Sequence, residues 1–301
     1  MSRHEGDFPL QRQASFREWS PSIHYAQFQK MPTGKLPERK IYDFELLYVS
    51  QGEAATTMLG QRYLLSAGQL IFLPAGVAHQ NEAVSKPGTR FLGIHFDFFD
   101  DLDITTEADV IVHDEDAPSS RFAREAVADY FLPLSHHPVY TPTLACVGWM
   151  EQLVYEFTMR SPGYELACKA LMLNILTHLL RLQQTRSHTA LTPHDGKVME
   201  LAARIEQSPA EPWSNAAIAD HMNLSVDHAA KLFKRLTGLP PNEYILSVRH
   251  REARRLLRET ELPIERIAEQ LGYSGIHYFS RLFRKHEGIS ATEYRKLARV
   301  L

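Results

Sequence analysis

The side chains best placed to do chemistry are bases that recur at a fixed interval. Lys231, Lys234 and Arg235 stand 50 residues before Arg281, Arg284 and Lys285. At 100° per residue, Ala229, Leu232, Phe233 and Leu236 share one face of a helix over 226–237. Asp227, Lys231 and Lys234 then point outward, flanked by Ala230 and Arg235. Over 276–286, Phe279, Leu282 and Phe283 face inward while His277, Arg281 and Arg284 point out. Guanidinium and ammonium groups on one exposed helix face neutralise phosphates, and an arginine fork can also grip a guanine edge. His277, Ser280 and Arg281 are therefore the candidate base readers, with Arg284 and Lys285 on phosphates. A second polar set, Arg39, Glu45, His79 and His95, is scattered through an apolar N-terminal stretch, with Tyr48 as a stacking platform. Such groups in an apolar wall suit a small molecule.

The elements that hold the bases repeat with them. Gly238 matches Gly288 and Glu243-Tyr244 matches Glu293-Tyr294, while Ala217-Ile218-Ala219 resembles Arg266-Ile267-Ala268 at an offset of 49. A short helix, a tight turn, a basic helix and a glycine stop make a helix-turn-helix, expected twice, over 214–238 and 263–288. Between them, Pro240 and Pro241 open a long helix from 241 to 259 carrying Arg249, Arg251, Arg254, Arg255 and Arg258. A helix of about 18 residues spans about 27 Å. Two recognition helices held that way suit successive major grooves about 34 Å apart.

The 301 residues carry a net charge of −3, divided unequally. Residues 192–301 hold 17 Lys and Arg against 14 Asp and Glu, leaving 16 against 22 in residues 1–191. Residues 41–99 read as short strands punctuated by Gly52, Gly60, Gly68 and Gly76, the pattern of a small barrel or sandwich. The acidic run Asp97, Asp100, Asp101, Asp103, Glu107, Asp109, Asp114, Glu115 and Asp116 lacks calcium-loop spacing and reads as a solvated connection. Helical periodicity follows from Arg121, with segments near 142–160 and 164–184 that are apolar on more than one face. One face suits the barrel, and the other either a partner subunit or the chain's own C-terminal part. Two cysteines, Cys146 and Cys168, suit a reducing compartment. No apolar stretch is long enough for a signal peptide or a membrane span, so the expected location is the cytoplasm.

Residues 196–299 resemble the DNA-binding domain of the AraC/XylS family of bacterial transcription regulators. The resemblance rests on Ile264-Glu-Arg-Ile-Ala-Glu-Gln-Leu-Gly-Tyr-Ser, Tyr278-Phe-Ser-Arg-Leu-Phe-Arg-Lys and Gly288-Ile-Ser-Ala-Thr-Glu-Tyr-Arg. The first unit departs from the family pattern, with His228-Ala229-Ala230-Lys231 where Ser-Arg often occurs. Gly68-Gln-Leu-Ile-Phe-Leu-Pro74-Ala-Gly76-Val-Ala-His79 is similar to the second motif of a cupin barrel, with Ala83 where Asn is usual. No His-x-His follows Gly52, so no metal or other cofactor is expected.

The resemblance implies an α+β multidomain chain: an N-terminal arm over 1–38, a cupin-like β-barrel over 39–120, a helical dimerisation segment over 121–184, a linker over 185–195, and an all-α double helix-turn-helix domain over 196–301. It also implies a homodimeric regulator, not an enzyme. Its partners would be double-stranded DNA, RNA polymerase and a small-molecule effector, with a sugar or other polyhydroxylated compound suiting the polar set. Transcriptional activation is the family's usual outcome. The arm is either a lid over the pocket or unstructured. Two alternatives stay open: a metal-dependent cupin enzyme with a DNA-targeting domain, and a regulator whose barrel only dimerises.

Overall fold

The computed structural model describes residues 8–114, 117–188 and 193–297. It divides into two compact units between residues 189 and 190, apart from residues 143–145, which group with the second. Glu115, Asp116 and the first seven residues of the expected arm lie outside the described residues.

The first unit is built around a seven-stranded sheet whose central strands are apolar on both faces. Its strands are β2 (Ser22–Lys35), β3 (Phe44–Gln51), β4 (Glu53–Met58), β5 (Gln61–Ser66), β6 (Leu70–Leu73), β7 (His79–Asp97) and β9 (Val139–Tyr140). The order is β5-β4-β7-β3-β6-β9, with β2 also paired to β7. Strand β7 is 19 residues long and serves three antiparallel neighbours. The sheet wraps on it into a nearly closed barrel. A separate pair, β1 (Gln11–Gln13) and β8 (Glu125–Val127), runs parallel.

Side-chain alternation gives this barrel two different faces. Leu47, Val49, Ile71, Leu73 and Phe91 pack together inside with Ala54, Met58 and Leu65. Phe44, Leu46, Leu92, Ile94 and Phe96 point the other way, toward α1 (Leu144–Met159) and α2 (Tyr164–His188). There they meet Met150, Leu153, Met172, Ile175 and Leu179. Each fully buried side chain of this size contributes about 1.5–3 kcal/mol, and Phe44 and Phe72 add a stacked pair at 5.4 Å.

Three expected boundaries move. Residues 22–35 are not an arm, because they pair with β7 from Ser22 opposite Asp97 to Lys35 opposite Glu82. Residues 121–143 are loops, short 3-10 turns and short strands, with α-helix only from Leu144. The expected linker over 185–195 is helical at both ends, since α2 runs to His188 and α3 (Pro193–Gln207) begins at Pro193, and residues 189–192 lie outside the described residues.

The second unit repeats itself in space as in sequence. Helices α4 (Asn215–Met222) and α5 (Val226–Thr237) form one helix-turn-helix, and α7 (Ile264–Gln270) and α8 (Ile276–Glu287) the other. Long α6 (Pro241–Glu259) lies between them in sequence, and α9 (Ala291–Leu297) follows. Leu224 N–H donates to Ala219 O at 3.0 Å in the first turn, and Tyr273 N–H to Ala268 O at 3.0 Å in the second. Phe233 meets Tyr244 edge-on at 5.2 Å, and Phe283 meets Tyr294 edge-on at 5.5 Å. Each basic helix ends at a left-handed glycine, Gly238 (φ 84°) and Gly288 (φ 74°). Helix α6 is shared: Tyr244, Ile245 and Val248 belong to the first core, and Ala253, Leu256 and Leu257 to the second.

Candidate nucleic-acid interface and barrel site

Nine of the ten candidate DNA-contacting residues are exposed on α5 and α8: Asp227, Lys231, Lys234, Arg235, His277, Ser280, Arg281, Arg284 and Lys285, while Ala230 is half-buried. The helices stand this way because Ala229, Leu232 and Phe233 in α5, and Phe279 and Phe283 in α8, turn their backs to solvent. The two faces are not electrically equal. Asp227 accepts from Lys231 Nζ at 2.7 Å, one helical turn away, so the first face presents a partly neutralised lysine. On α8 the Arg281 guanidinium lies 5.6 Å from the Tyr278 ring centre. Tyr278, exposed beside it, escaped the sequence reading because it borders buried Phe279 and counts as apolar.

Helix α6 is less basic at its surface than its arginines suggest. Arg251 pairs with Glu206 at 3.4 Å, Arg254 with Glu287 at 3.7 Å and Arg255 with Glu259 at 3.1 Å. These charges are spent inside the unit.

In the barrel, four of the five candidate residues converge. Arg39 Nη2 donates to Glu45 Oε2 at 2.7 Å and Arg39 Nε to His79 Nε2 at 3.2 Å. His95 Nε2 lies 3.7 Å from Glu45 Oε2. Register explains the convergence, since Glu45 stands opposite both His95 on β7 and Leu73 on β6, which faces the interior. Tyr48 does not join them. It stands opposite Leu92 and Leu70 on the helix-covered face, buried among that core, because it is an odd number of residues from Glu45.

The cluster extends deeper than the sequence indicated. His95 Nδ1 is 3.0 Å from Asp43 Oδ1, and Asp43 Oδ2 is 2.8 Å from His24 Nδ1. His24 Nε2 lies 3.3 Å from Asp97 Oδ2, an ion-pair distance off the hydrogen-bond line. Asp97 is thus no member of a solvated run: it is buried and accepts the N–H groups of Phe99 at 3.0 Å and Leu102 at 3.2 Å. His24 and Asp43 were missed because each sits at or near the end of an apolar strand, where one sequence does not show which way a side chain turns.

Charge within this chain is ordered by its neighbours. Burial works against a charged His24, yet Asp43 and Asp97 overcome it and hold its pKa up at about 9. Burial opposes charge on His95 too, and Asp43 and Glu45 raise its pKa above the usual value. His79, buried and facing the Arg39 guanidinium, is pushed down to about 4 and stays neutral. The Asp43 carboxyl is held low, against its burial, by His95 and His24. Arg39, His24 and His95 therefore face Glu45, Asp43 and Asp97, a balanced array of forked donors and acceptors. Among the described residues no group of three or more His, Cys, Asp or Glu side chains is arranged to hold a metal ion.

Comparison with known proteins agrees with both halves. Residues 24–132 match the model of an AraC-like ligand binding domain, and residues 218–297 that of a helix-turn-helix domain. An uncharacterized HTH-type transcriptional regulator of Bacillus subtilis, YisR, is 25% identical over 84% of this chain and 86% of its own. The HTH-type transcriptional activator RhaS of Escherichia fergusonii is 28% identical over 89% and 90%. A putative AraC-like transcription regulator of Streptomyces lividans is 30% identical over 58% and 59%. A barrel of the AraC-like ligand-binding domain type, followed by two helix-turn-helix units, defines a DNA-binding transcription regulator. The chain belongs to the AraC family of these regulators. No helix among the described residues is long and apolar enough to cross a membrane.

Proposed function

We propose that this regulator activates transcription when a neutral polyhydroxylated molecule, such as a sugar, occupies the barrel beside Arg39, Glu45, His79 and His95. The charge balance of the buried array carries this reading. An anionic effector would add a fourth negative charge or displace Glu45 from Arg39, whereas hydroxyl groups take forked bonds from both without upsetting the balance. Activation is supported by likeness to a protein named an activator, and it implies a contact with RNA polymerase. Exposed Leu166 on α2 and Tyr155 on α1 support a homodimer built on these helices. The α2 side that spaces Leu166, Leu173 and Leu180 seven residues apart is only partly open, since Leu180 is buried and Leu173 packs on the barrel core.

On DNA, Arg281 with His277 and Ser280 would read bases, and Arg284 and Lys285 would hold phosphates. In the first unit Lys234 and Arg235, with Lys231, Asp227 and Ala230 alongside, would position more than specify. The test of the effector is a thermal-shift panel of sugars, polyols, aromatic acids and fatty acids. A ligand at 100 times its Kd should add about 2.7 kcal/mol of stability. Shifts from carboxylates and none from polyols would overturn the charge argument. A barrel that only dimerises is the competing reading, favoured by the existing Arg39–Glu45 bond at 2.7 Å, and a panel without any shift would decide for it.

A further inference from the structure

Most arginines of α6 pair with acids, but Arg249 does something different. Its Nε donates to Pro209 O at 2.7 Å, its Nη2 to Glu211 O at 3.1 Å and its Nη1 to Gly272 O at 3.0 Å. The first two carbonyls lie in the segment between α3 and α4, which is folded on itself by Trp213 Nε1 donating to Ser208 O at 2.9 Å. The third lies in the turn of the second helix-turn-helix. One half-buried guanidinium therefore joins both halves of the domain, from a point of α6 between buried Val248 of the first core and buried Ala253 of the second.

The backbones beside it touch as well. Gly272 has φ +70°, and a Cβ there would stand 2.5 Å from Ala210 O and 2.9 Å from Ala210 Cα. A left-handed residue without a side chain lets the second turn lie directly on the 208–213 segment. The Tyr273 ring centre lies 5.9 Å from the same guanidinium. A planar fork with donors in three directions is the group that can hold three carbonyls from two chain segments at once, which a lysine ammonium on its flexible stem cannot reproduce.

We propose that Arg249 is a positioning residue for DNA recognition: it clamps the two helix-turn-helix units into one rigid body and so fixes the spacing between half-sites that the protein accepts. Without the guanidinium, only the Gly272–Ala210 contact and each unit's own packing on α6 orient the two halves, and the angle between recognition helices can vary. One added base pair turns a half-site by about 35° relative to the other, so a rigid body discriminates spacings and a hinged one does not. This rests on the reading that both recognition helices engage DNA.

The test uses the full chain and duplexes selected from random sequence, then rebuilt with one base pair added or removed between the two blocks. Wild type should bind the altered spacings about tenfold or more weakly. Arg249→Gln should bind the original site less well but lose most of that discrimination, to about threefold or less, with Arg249→Lys between. Gly272→Ala attacks the same contact from the other side and should act in the same direction. A purely structural role would weaken all spacings equally, so an unchanged discrimination ratio in folded variants overturns the proposal. Wild type that tolerates the altered spacings overturns it without any variant. Selection of one block alone would instead overturn the two-groove reading, and the clamp's part in recognition with it.

Discussion

Raising the pH from 6.5 to 9 should loosen the barrel through His24. Burial disfavours the imidazolium, but carboxylates at 2.8 and 3.3 Å hold its pKa at about 9 against 6.5 when exposed. Because the folded value is the higher one, the stabilisation is complete below pH 6.5 and lost as pH climbs through 9. At about 1.4 kcal/mol per pH unit the full span is worth about 3 kcal/mol. Asp43 also holds His95, whose raised pKa has the same sign, so the figure belongs to the linked set. The window is otherwise quiet. Buried Glu125, raised to about 7, makes its own loss mainly between pH 4.5 and 7, and Cys146 and Cys168, raised to about 12 and about 11, act above 9. Trp213 belongs to the second unit, so Trp213→Phe leaves Trp19 and Trp149 to report urea unfolding of the first. Stability should fall steadily between pH 7 and 9, and His24→Gln should flatten most of the slope. A level or rising profile in the parent, or an equal slope in His24→Gln, refutes the assignment of a charged histidine between two aspartates.

Arg281→Ala should cost about 1–3 kcal/mol in specific binding and relax preference at one base pair, whereas Arg284→Ala should weaken all sequences and reduce the salt slope by about one; binding titrations across salt and sequence check both. Arg39→Met leaves buried Glu45 with His95 alone, at 3.7 Å, and should destabilise the barrel by about 3 kcal/mol, while Arg39→Met with Glu45→Leu should recover most of it in the same urea assay. Glu125 accepts from Ser135 N–H at 2.9 Å and Ser135 Oγ–H at 2.6 Å with no cation to offset its burial. Its raised pKa stabilises below pH 4.5 and is lost through 7, so Glu125→Gln should remove that fall. Neutral His79, held near 4, contributes a rise of opposite sign below pH 6.5, so the variant is compared with the parent, and an identical slope in the two would count against the assignment.

The helical half was the more legible because its signal is redundant. Each basic helix declares its buried face three or four times, and the repeat at 50 residues checks one copy against the other, as Phe233–Tyr244 and Phe283–Tyr294 do in space. The barrel offers no such check. Its strands are apolar on both faces because one lines the interior and the other carries α1 and α2, so alternation cannot say that Glu45 points in and Tyr48 out. Residues 22–35 read as an arm because Gln27, Gln29 and Lys30 dilute their apolar pattern, although they pair along most of β7. His24, Asp43 and Asp97 became legible only when β2, β7 and the residue preceding β3 brought His24 within 3.3 Å of both aspartates.

The two recognition helices share a backbone plan but present different charge. In α5 the outward lysine is tied to Asp227 one turn before it, so binding DNA must first loosen an exposed pair at modest cost. In α8 the outward arginine lies beside an exposed tyrosine ring with no acid in the first turn. Of the two cations, only a guanidinium offers a rigid planar fork to a guanine edge, and only the second helix presents one at this central position. Its α5 counterpart, Lys231, can approach a phosphate as a point charge. On the proposed reading the first unit therefore anchors and the second discriminates, which makes their separation itself part of the specificity. An asymmetric pair of readers conveys which way the site runs only while the distance between them is fixed. That requirement is what the three carbonyl bonds of Arg249 would meet.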